Sequence, residues 1–175
     1  MPLLLKKMNK QLFDKPQNFI VFDGGARHTG ICRVYNLTKS GGFAKASVIL
    51  QTIEHKDNTT QGYAMIDTLL SDPNLDFVLY EDFRLYKARQ NKDGTNKTHY
   101  KQFSRFEEVQ IIGLFKWLCD VYKLDSYRQA AVEIKNRNYA KVSFVGDKSA
   151  HSRDALHHAQ IFFNKHKYSN RTLEF

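Results

Sequence analysis

Acidic and imidazole side chains stand at the ends of predicted regular elements in this sequence. Asp23 ends the apolar run FIVFD, and Glu81 follows the apolar run FVLY. His151 and Asp154, three residues apart in HSRDALHHAQIFF, share one face of a predicted helix. Carboxylates about 4 Å apart repel each other by about 4 kcal/mol at an effective dielectric constant of about 20, and a divalent cation removes that repulsion. Because Mg²⁺ prefers oxygen ligands and keeps several waters, Asp23, Glu81, His151 and Asp154 are predicted to form a magnesium site.

The neighbours of these four residues have other expected roles. Successive strand residues point to opposite faces, so Asp82 would share the face of Val78 while Glu81 enters the site. His157 and His158 lie on the next helical turn, where packing is the favoured interpretation and an extension of the site is the alternative. The sequence has no HExxH motif and no Cys/His zinc grouping, which disfavours a zinc hydrolase.

The elements that must position these side chains follow the order βββαβαβα. This order indicates an α/β fold with a mixed five-stranded sheet flanked by helices, in a single domain spanning 1–175. The first and fourth strands must be neighbours for Asp23 and Glu81 to meet, and ligands bind at such strand ends. Strands are predicted at 19–23, 31–37, 44–54, 76–83 and 130–134, helices at 60–70, 105–122 (with Ser104 and Glu107 as a capping box) and 150–164, a loose lead-in at 1–17, and a mobile basic loop at 84–104.

The net charge of +9 is concentrated in two segments. Residues 84–105 carry seven Lys or Arg against one Asp, and residues 135–153 carry five against one. Both segments adjoin the acidic motifs, which is typical of a surface that binds a polyanion, although flexible basic loops remain the alternative. The aromatic residues Tyr86, Tyr100 and Phe103 could stack on unpaired bases or dock the loop on the protein. The predicted DNA contacts are Arg27, Arg84, Lys87, Arg89, Lys101, Arg105 and Lys141.

The cysteine content and the hydropathy of the sequence indicate the cellular compartment in which the protein is expected. Cys32 and Cys119 are too few for a disulfide framework, which favours a reducing compartment. Neither a signal peptide nor a run of about 20 apolar residues is present in the sequence, so no membrane association is expected. The expected location is the cytoplasm of a bacterial cell, or of the host cell if the protein is phage-encoded.

Three motifs in this order resemble the RuvC-type Holliday junction resolvases. DGGARHTG at 23–30 resembles the first-strand motif Asp, any, Gly, any, Arg, any, Thr, Gly. YEDF at 80–83 is similar to the family's apolar strand that ends in a glutamate, and HSRDA at 151–155 resembles its closing-helix motif. The stretches 84–86 and 108–113 are similar to small phage-encoded members. Gly24 departs from bacterial members, which often have proline there.

The resemblance implies an RNase H-like fold, a homodimer, and nicking of branched DNA such as a four-way junction. Asp23, Glu81, His151 and Asp154 would hold two Mg²⁺ ions, for which Mn²⁺ would substitute, and His151 would be either a ligand or a proton carrier. Hydrolysis with two metal ions would leave a 5′-phosphate and a 3′-hydroxyl.

Three alternatives stay open at this point. The same fold could act on RNA–DNA hybrids or flaps instead of junctions. Asp-Gly-Gly followed by Thr-Gly also resembles the phosphate loop of actin-like sugar kinases, but those need two such domains and 175 residues supply one. The acidic residues could also be structural in a DNA-binding protein without catalytic activity.

Overall fold

A computed structural model describes residues 12–25, 27–55, 59–82, 100–134 and 138–167. The strands within them are β1 (Gln17–Gly24), β2 (His28–Leu37), β3 (Ser47–Glu54), β4 (Phe77–Asp82), β5 (Asp125–Ala130) and β6 (Val145–Gly146). The helices are α1 (Gly42–Lys45), α2 (Thr59–Leu70), α3 (Tyr100–Tyr122) and α4 (Ala150–His166), and a 3-10 turn covers Ala131–Ile134.

The strands form one mixed sheet in the order β5-β4-β1-β2-β3-β6. β1, β2 and β3 make an antiparallel meander, while β4 pairs in parallel with β1 and β5 in parallel with β4. The predicted α/β architecture is confirmed, and so is the pairing of the first and fourth strands. A parallel neighbour for β1 brings the carboxyl ends of β1 and β4 to the same end of the sheet.

Several predicted boundaries are wrong. The fifth strand is β5 at Asp125–Ala130, and most of the predicted strand 130–134 is the 3-10 turn. β5 lies at the edge of the sheet and is largely polar, so its sequence lacks the apolar run expected of a buried strand. A sixth, two-residue strand, β6, pairs with β3. Residues 42–45 form α1, so the third strand begins at Ser47 and not at residue 44.

The start of α3 also differs from the prediction. The helix begins at Tyr100, so Ser104 lies inside it and cannot be its N-cap. The last residues of the predicted 84–104 loop are therefore helical, and residues 83–99 lie outside the described part of the chain. The predicted lead-in at 1–17 falls mostly outside it as well, although β1 already includes Gln17.

Side chains of β1 alternate between two apolar layers. Phe19 and Val21 pack in the layer that α4 covers, and Ile20 and Phe22 pack in the layer that α2 and α3 cover. Asp23 follows next and by the same period of two faces α4. The sheet is thus buried on both faces, and its α4 side receives the carboxylate. Among the described helices, none is long and apolar enough to cross a membrane.

Candidate metal centre

Strand geometry brings Asp23 and Glu81 together. Phe22 of β1 pairs with Tyr80 of β4, and the two acids are the next residues along these parallel strands. Leu79 packs in the α4 layer while Tyr80 packs in the opposite layer, so Glu81 faces α4 as Asp23 does. Asp82 is the last residue of β4, but the structure does not describe its side chain.

The first turn of α4 is anchored to β3. Ser149 is the N-cap, and its hydroxyl oxygen accepts a hydrogen bond from the backbone N–H of Ser152 at 3.1 Å. Thr52 Oγ1 lies 2.5 Å from Ser149 Oγ, and Thr52 also donates to Asp147. Asp147 in turn accepts from the backbone N–H of Ser149 at 2.9 Å. These bonds fix where α4 begins relative to the sheet, and an N-cap of this kind contributes about 1 kcal/mol.

A glycine lets α4 approach the sheet closely. Gly30 of β2 is the antiparallel partner of Asp23, and a Cβ placed on it would lie 2.1 Å from the carbonyl oxygen of His151. Only a residue without a side chain fits between β2 and the first turn of α4. The glycine of the motif DGGARHTG therefore has a packing role that brings His151 to Asp23.

Two imidazoles from α4 contact the carboxylates. His151 Nδ1 lies 3.1 Å from Asp23 Oδ2, and the ring of His28 stacks on His151 with 5.6 Å between centroids. His158 Nε2 lies 3.7 Å from Glu81 Oε2. Asp23, Glu81 and His158 each offer an atom within 4.8 Å of the others, a grouping that suits one cation.

Burial and the neighbouring carboxylate of Glu81 both destabilise the ionised form of Asp23. Only 7% of Asp23 is exposed. Burial first, and then the hydrogen bond and charge of Glu81, raise the pKa of Asp23 to about 8, while His151 opposes the rise. Without a cation the pair therefore retains a proton near neutral pH, as expected when two carboxylates share one site.

His158 is buried with no hydrogen-bond partner for either ring nitrogen among the described residues. A buried polar group without a partner costs about 1–3 kcal/mol. Burial lowers the pKa of His158 although nearby carboxylates oppose the shift, so the ring is neutral near pH 7 and able to bind a metal. From the sequence, packing is the favoured role of His158 and an extension of the site the alternative. Its spacing of four from Asp154 indicates that the two residues share a helix face.

Asp154 lies on α4 outside the three-residue grouping. Its side chain is 43% exposed, and its Oδ1 lies 3.6 Å from His157 Nδ1. The His157 ring stacks on Tyr139 with 3.7 Å between centroids, which holds the segment 138–144 against α4. The structure thus brings Asp23 into contact with both Glu81 and His151, whereas Asp154, three residues after His151 on α4, contacts His157.

The predicted DNA contacts are described only in part. Arg27 is exposed in the connection between β1 and β2, four residues after Asp23. Lys141 is exposed and lines a cleft of about 770 Å³ between α1 and the second half of α4. Lys101 and Arg105 lie within α3, but the structure does not describe their side chains. Arg84, Lys87 and Arg89 lie outside the described residues.

Comparison with known proteins supports the fold. No protein-family model and no curated protein matches the sequence. A solved structure of T. thermophilus RuvC in complex with a Holliday junction substrate aligns with a TM-score of 0.57 and 12% identity, over 85% of this chain and 95% of that chain. A second Thermus thermophilus RuvC structure aligns with a TM-score of 0.53 and 14% identity, over 83% and 95%. The chain has the fold of RuvC, which is RNase H-like.

Proposed function

We propose that the protein is a metal-dependent endonuclease that cuts branched DNA, with the four-way Holliday junction as its preferred substrate. One observation carries the proposal: the buried carboxylate of Asp23 and the partly buried carboxylate of Glu81 meet at adjacent strand ends of a RuvC fold, where burial first and then Glu81 raise the pKa of Asp23. A structural role alone gives no reason to place a second carboxylate against a buried one, because the unbalanced charge is costly.

The residues fit divalent cations. Asp23 and Glu81 supply oxygen ligands of the kind that Mg²⁺ prefers, and α4 supplies His151 and Asp154 from the same side. We assign two Mg²⁺ ions to these four residues, with Mn²⁺ able to substitute. Divalent ions held by these residues would supply an activated water as nucleophile and stabilise the leaving oxygen. Cleavage by this chemistry leaves a 5′-phosphate and a 3′-hydroxyl.

The contacts of the His151 ring support a role as a metal ligand or proton carrier. Its Nδ1 lies 3.1 Å from Asp23 Oδ2, and the His28 ring lies nearly parallel to the imidazole with 5.6 Å between centroids. This leaves Nε2 as the nitrogen that binds an ion or takes a proton from water. Histidine is the side chain that most commonly transfers protons in catalysis at neutral pH.

Basic side chains would hold the DNA backbone. The chain carries a net charge of +9, and we assign phosphate contacts to Arg27 and Lys141, and to the sequence-predicted residues Arg84, Lys87, Arg89, Lys101 and Arg105. Such contacts release counterions, so junction binding should weaken steeply as salt concentration rises.

A homodimer completes the proposal. A four-way junction has approximate two-fold symmetry, and two symmetric cuts need two catalytic sites related by a two-fold axis. Trp117 and Val121, four residues apart on α3, are 62% and 50% exposed and offer an apolar surface for a second copy.

Cleavage of a synthetic four-way junction in Mg²⁺ is the test of the proposed function. The wild type is expected to nick the junction faster than a flap or an RNA–DNA hybrid, and DNA ligase should reseal the nicks. Asp23→Asn and Asp154→Asn should lose cleavage by at least about 100-fold, a loss of about 2.7 kcal/mol in transition-state stabilisation. Both should still bind the junction, because removing a carboxylate reduces repulsion of phosphate.

Asp125→Asn is the matched control, because Asp125 starts β5 at the opposite end of the sheet. It removes the same charge and should cleave at the wild-type rate. Equal rates on junction, flap and hybrid would refute the substrate assignment. Full activity in both Asp23→Asn and Asp154→Asn would refute the site.

A further inference from the structure

We propose that His158 is a nitrogen ligand of the ion held by Asp23 and Glu81, and that this imidazole makes the site bind Mn²⁺ more tightly than Mg²⁺. The inference rests on the metal centre of the proposed function and assigns it a third ligand. From the sequence, packing is the favoured role of His158, and an extension of the site is the alternative.

The position of His158 points to this role. The ring is fully buried, and neither nitrogen has a hydrogen-bond partner within the described part of the chain. Its Nε2 lies 3.7 Å from Glu81 Oε2, too far for a hydrogen bond but close to the spacing of two ligands around one ion. A core histidine held only for packing would normally satisfy at least one ring nitrogen.

The three ligand atoms have nearly the spacing that one ion requires. They lie within 4.8 Å of one another. Atoms on opposite sides of an octahedral ion are about 4.2 Å apart when each bond is about 2.1 Å, so shifts of less than ~1 Å complete the set. Such shifts are small side-chain rotations of Glu81, which is only partly buried.

An imidazole ligand changes which ion the site prefers. Mg²⁺ favours oxygen ligands and water, whereas first-row transition ions accept imidazole readily. As a ligand, His158 would replace one of the waters that Mg²⁺ prefers to keep. A site with two carboxylates and one imidazole is therefore expected to favour Mn²⁺ over Mg²⁺.

Pulsed electron paramagnetic resonance of Mn²⁺ bound to the full chain without DNA tests the ligand assignment. In His151→Asn, which removes the other imidazole at the site, bound Mn²⁺ should still couple to one histidine nitrogen. The coupling should shift when histidine is labelled with ¹⁵N and should vanish when His158→Asn is added. Mn²⁺ bound to His151→Asn without nitrogen coupling overturns the proposal, as does a wild type that binds no Mn²⁺. The measurement on His151→Asn alone leaves the buried His158 unchanged.

Metal titration tests the selectivity. His158→Asn should weaken Mn²⁺ binding by at least ~10-fold, while Mg²⁺ binding changes by less than ~3-fold. Losing a residue that only hydrogen-bonds to a metal ligand already weakens metal affinity by about 10-fold or more, so the loss of a ligand should cost at least as much. An equal loss for both ions overturns the selectivity. His166→Asn is the matched control, a half-buried imidazole two turns further along α4 that packs on Phe162, and it should leave both affinities unchanged.

The metal-binding experiments on His158 can succeed or fail independently of the junction-cleavage test. Nitrogen coupling from His158 without junction cleavage would retain the metal ligand and refute the nuclease. Junction cleavage without that coupling would retain the nuclease and refute His158 as a ligand.

Discussion

Asp23 combines burial with the charge of Glu81, and both effects favour its protonated form. The result is a carboxyl group whose pKa is about 8 in the absence of a cation. His151 relieves part of this penalty through its contact with Asp23, but does not reverse the shift. Binding of a divalent cation would stabilise the ionised form of both acids and so couple metal affinity to pH.

Asp23→Asn is expected to alter the pH dependence of stability. An unfolded Asp titrates near its ordinary pKa of about 3.9, so between about pH 4 and pH 8 the folded protein retains a proton that the unfolded chain releases. The stabilisation from Asp23 is therefore complete below about pH 4 and is lost as pH rises through 8. The free energy of unfolding of Asp23→Asn relative to wild type should rise by at least ~1 kcal/mol from pH 5 to pH 8, measured by denaturant unfolding in EDTA.

Two controls accompany that measurement. Asp125→Asn, at the exposed start of β5, should show a difference from wild type that does not change between the two pH values. Saturating Mn²⁺ should stabilise the wild type more at pH 8 than at pH 5, because the ion competes with the proton. A constant difference for Asp23→Asn would contradict the raised pKa.

At the scale of elements, the contact between β2 and the first turn of α4 decides where the helix side chains point. Gly30 sets the approach distance, and the Ser149 cap with Thr52 sets where the helix begins. Together they place His151 against Asp23 and, two turns on, His158 against Glu81. The second half of α4 buries Phe162 and Phe163 in the core, so the helix cannot rotate independently.

Gly30→Ala is expected to destabilise the fold and to damage the metal centre. The added Cβ would meet the His151 carbonyl oxygen at 2.1 Å, and because both groups are backbone-bound, α4 must move away. Overpacking of this kind costs about 1–3 kcal/mol, measured as the free energy of unfolding. Mn²⁺ affinity should fall at the same time, because the movement separates His151 and His158 from the carboxylates.

Gly113→Ala provides the control for that substitution. A Cβ at Gly113, on the exposed side of α3, meets no atom of the described residues within 4 Å. The change should stabilise the protein by up to ~1 kcal/mol through helix propensity and leave Mn²⁺ affinity unchanged. If Gly30→Ala matched Gly113→Ala in both measurements, the close approach of α4 to β2 would not matter.

At the scale of the whole molecule, the sheet separates two surfaces with different properties. The α4 side carries the carboxylates, the imidazoles and the basic segment that includes Lys141. The α2–α3 side carries the exposed apolar residues Met65, Trp117 and Val121. The proposed DNA contact on one side and the proposed self-association on the other would be compatible in a homodimer that presents two sites to one junction.

Trp117→Asp is expected to yield a monomer if α3 forms the dimer interface. A charge at a buried interface position lacks a partner and opposes association. Light scattering coupled to gel filtration should give about twice the 20.4 kDa chain mass for wild type and the single mass for the variant. Val145→Asp, at an exposed position on the β6 edge, should remain dimeric. A monomeric wild type, or a dimeric Trp117→Asp at the same concentration, would rule this interface out.

The sequence by itself determined the parts of the site that depend on local periodicity. Strand alternation directed Asp23 and Glu81 to one face, and the requirement that the two acids meet predicted that β1 and β4 are neighbours. It did not locate β5, because a polar edge strand carries too few apolar residues to stand out. The boundaries of α1 and α3 were missed as well.

Tertiary structure alone decided which side chains of α4 meet the carboxylates. His151, Asp154 and His158 all lie within two turns on one side of the helix, and their spacing does not rank them. The rotation and depth of α4 are set by contacts distant in sequence, with Gly30 of β2 and with Thr52 of β3. That packing directs His158 to Glu81 and leaves Asp154 half exposed beside His157, a result that no local pattern contains.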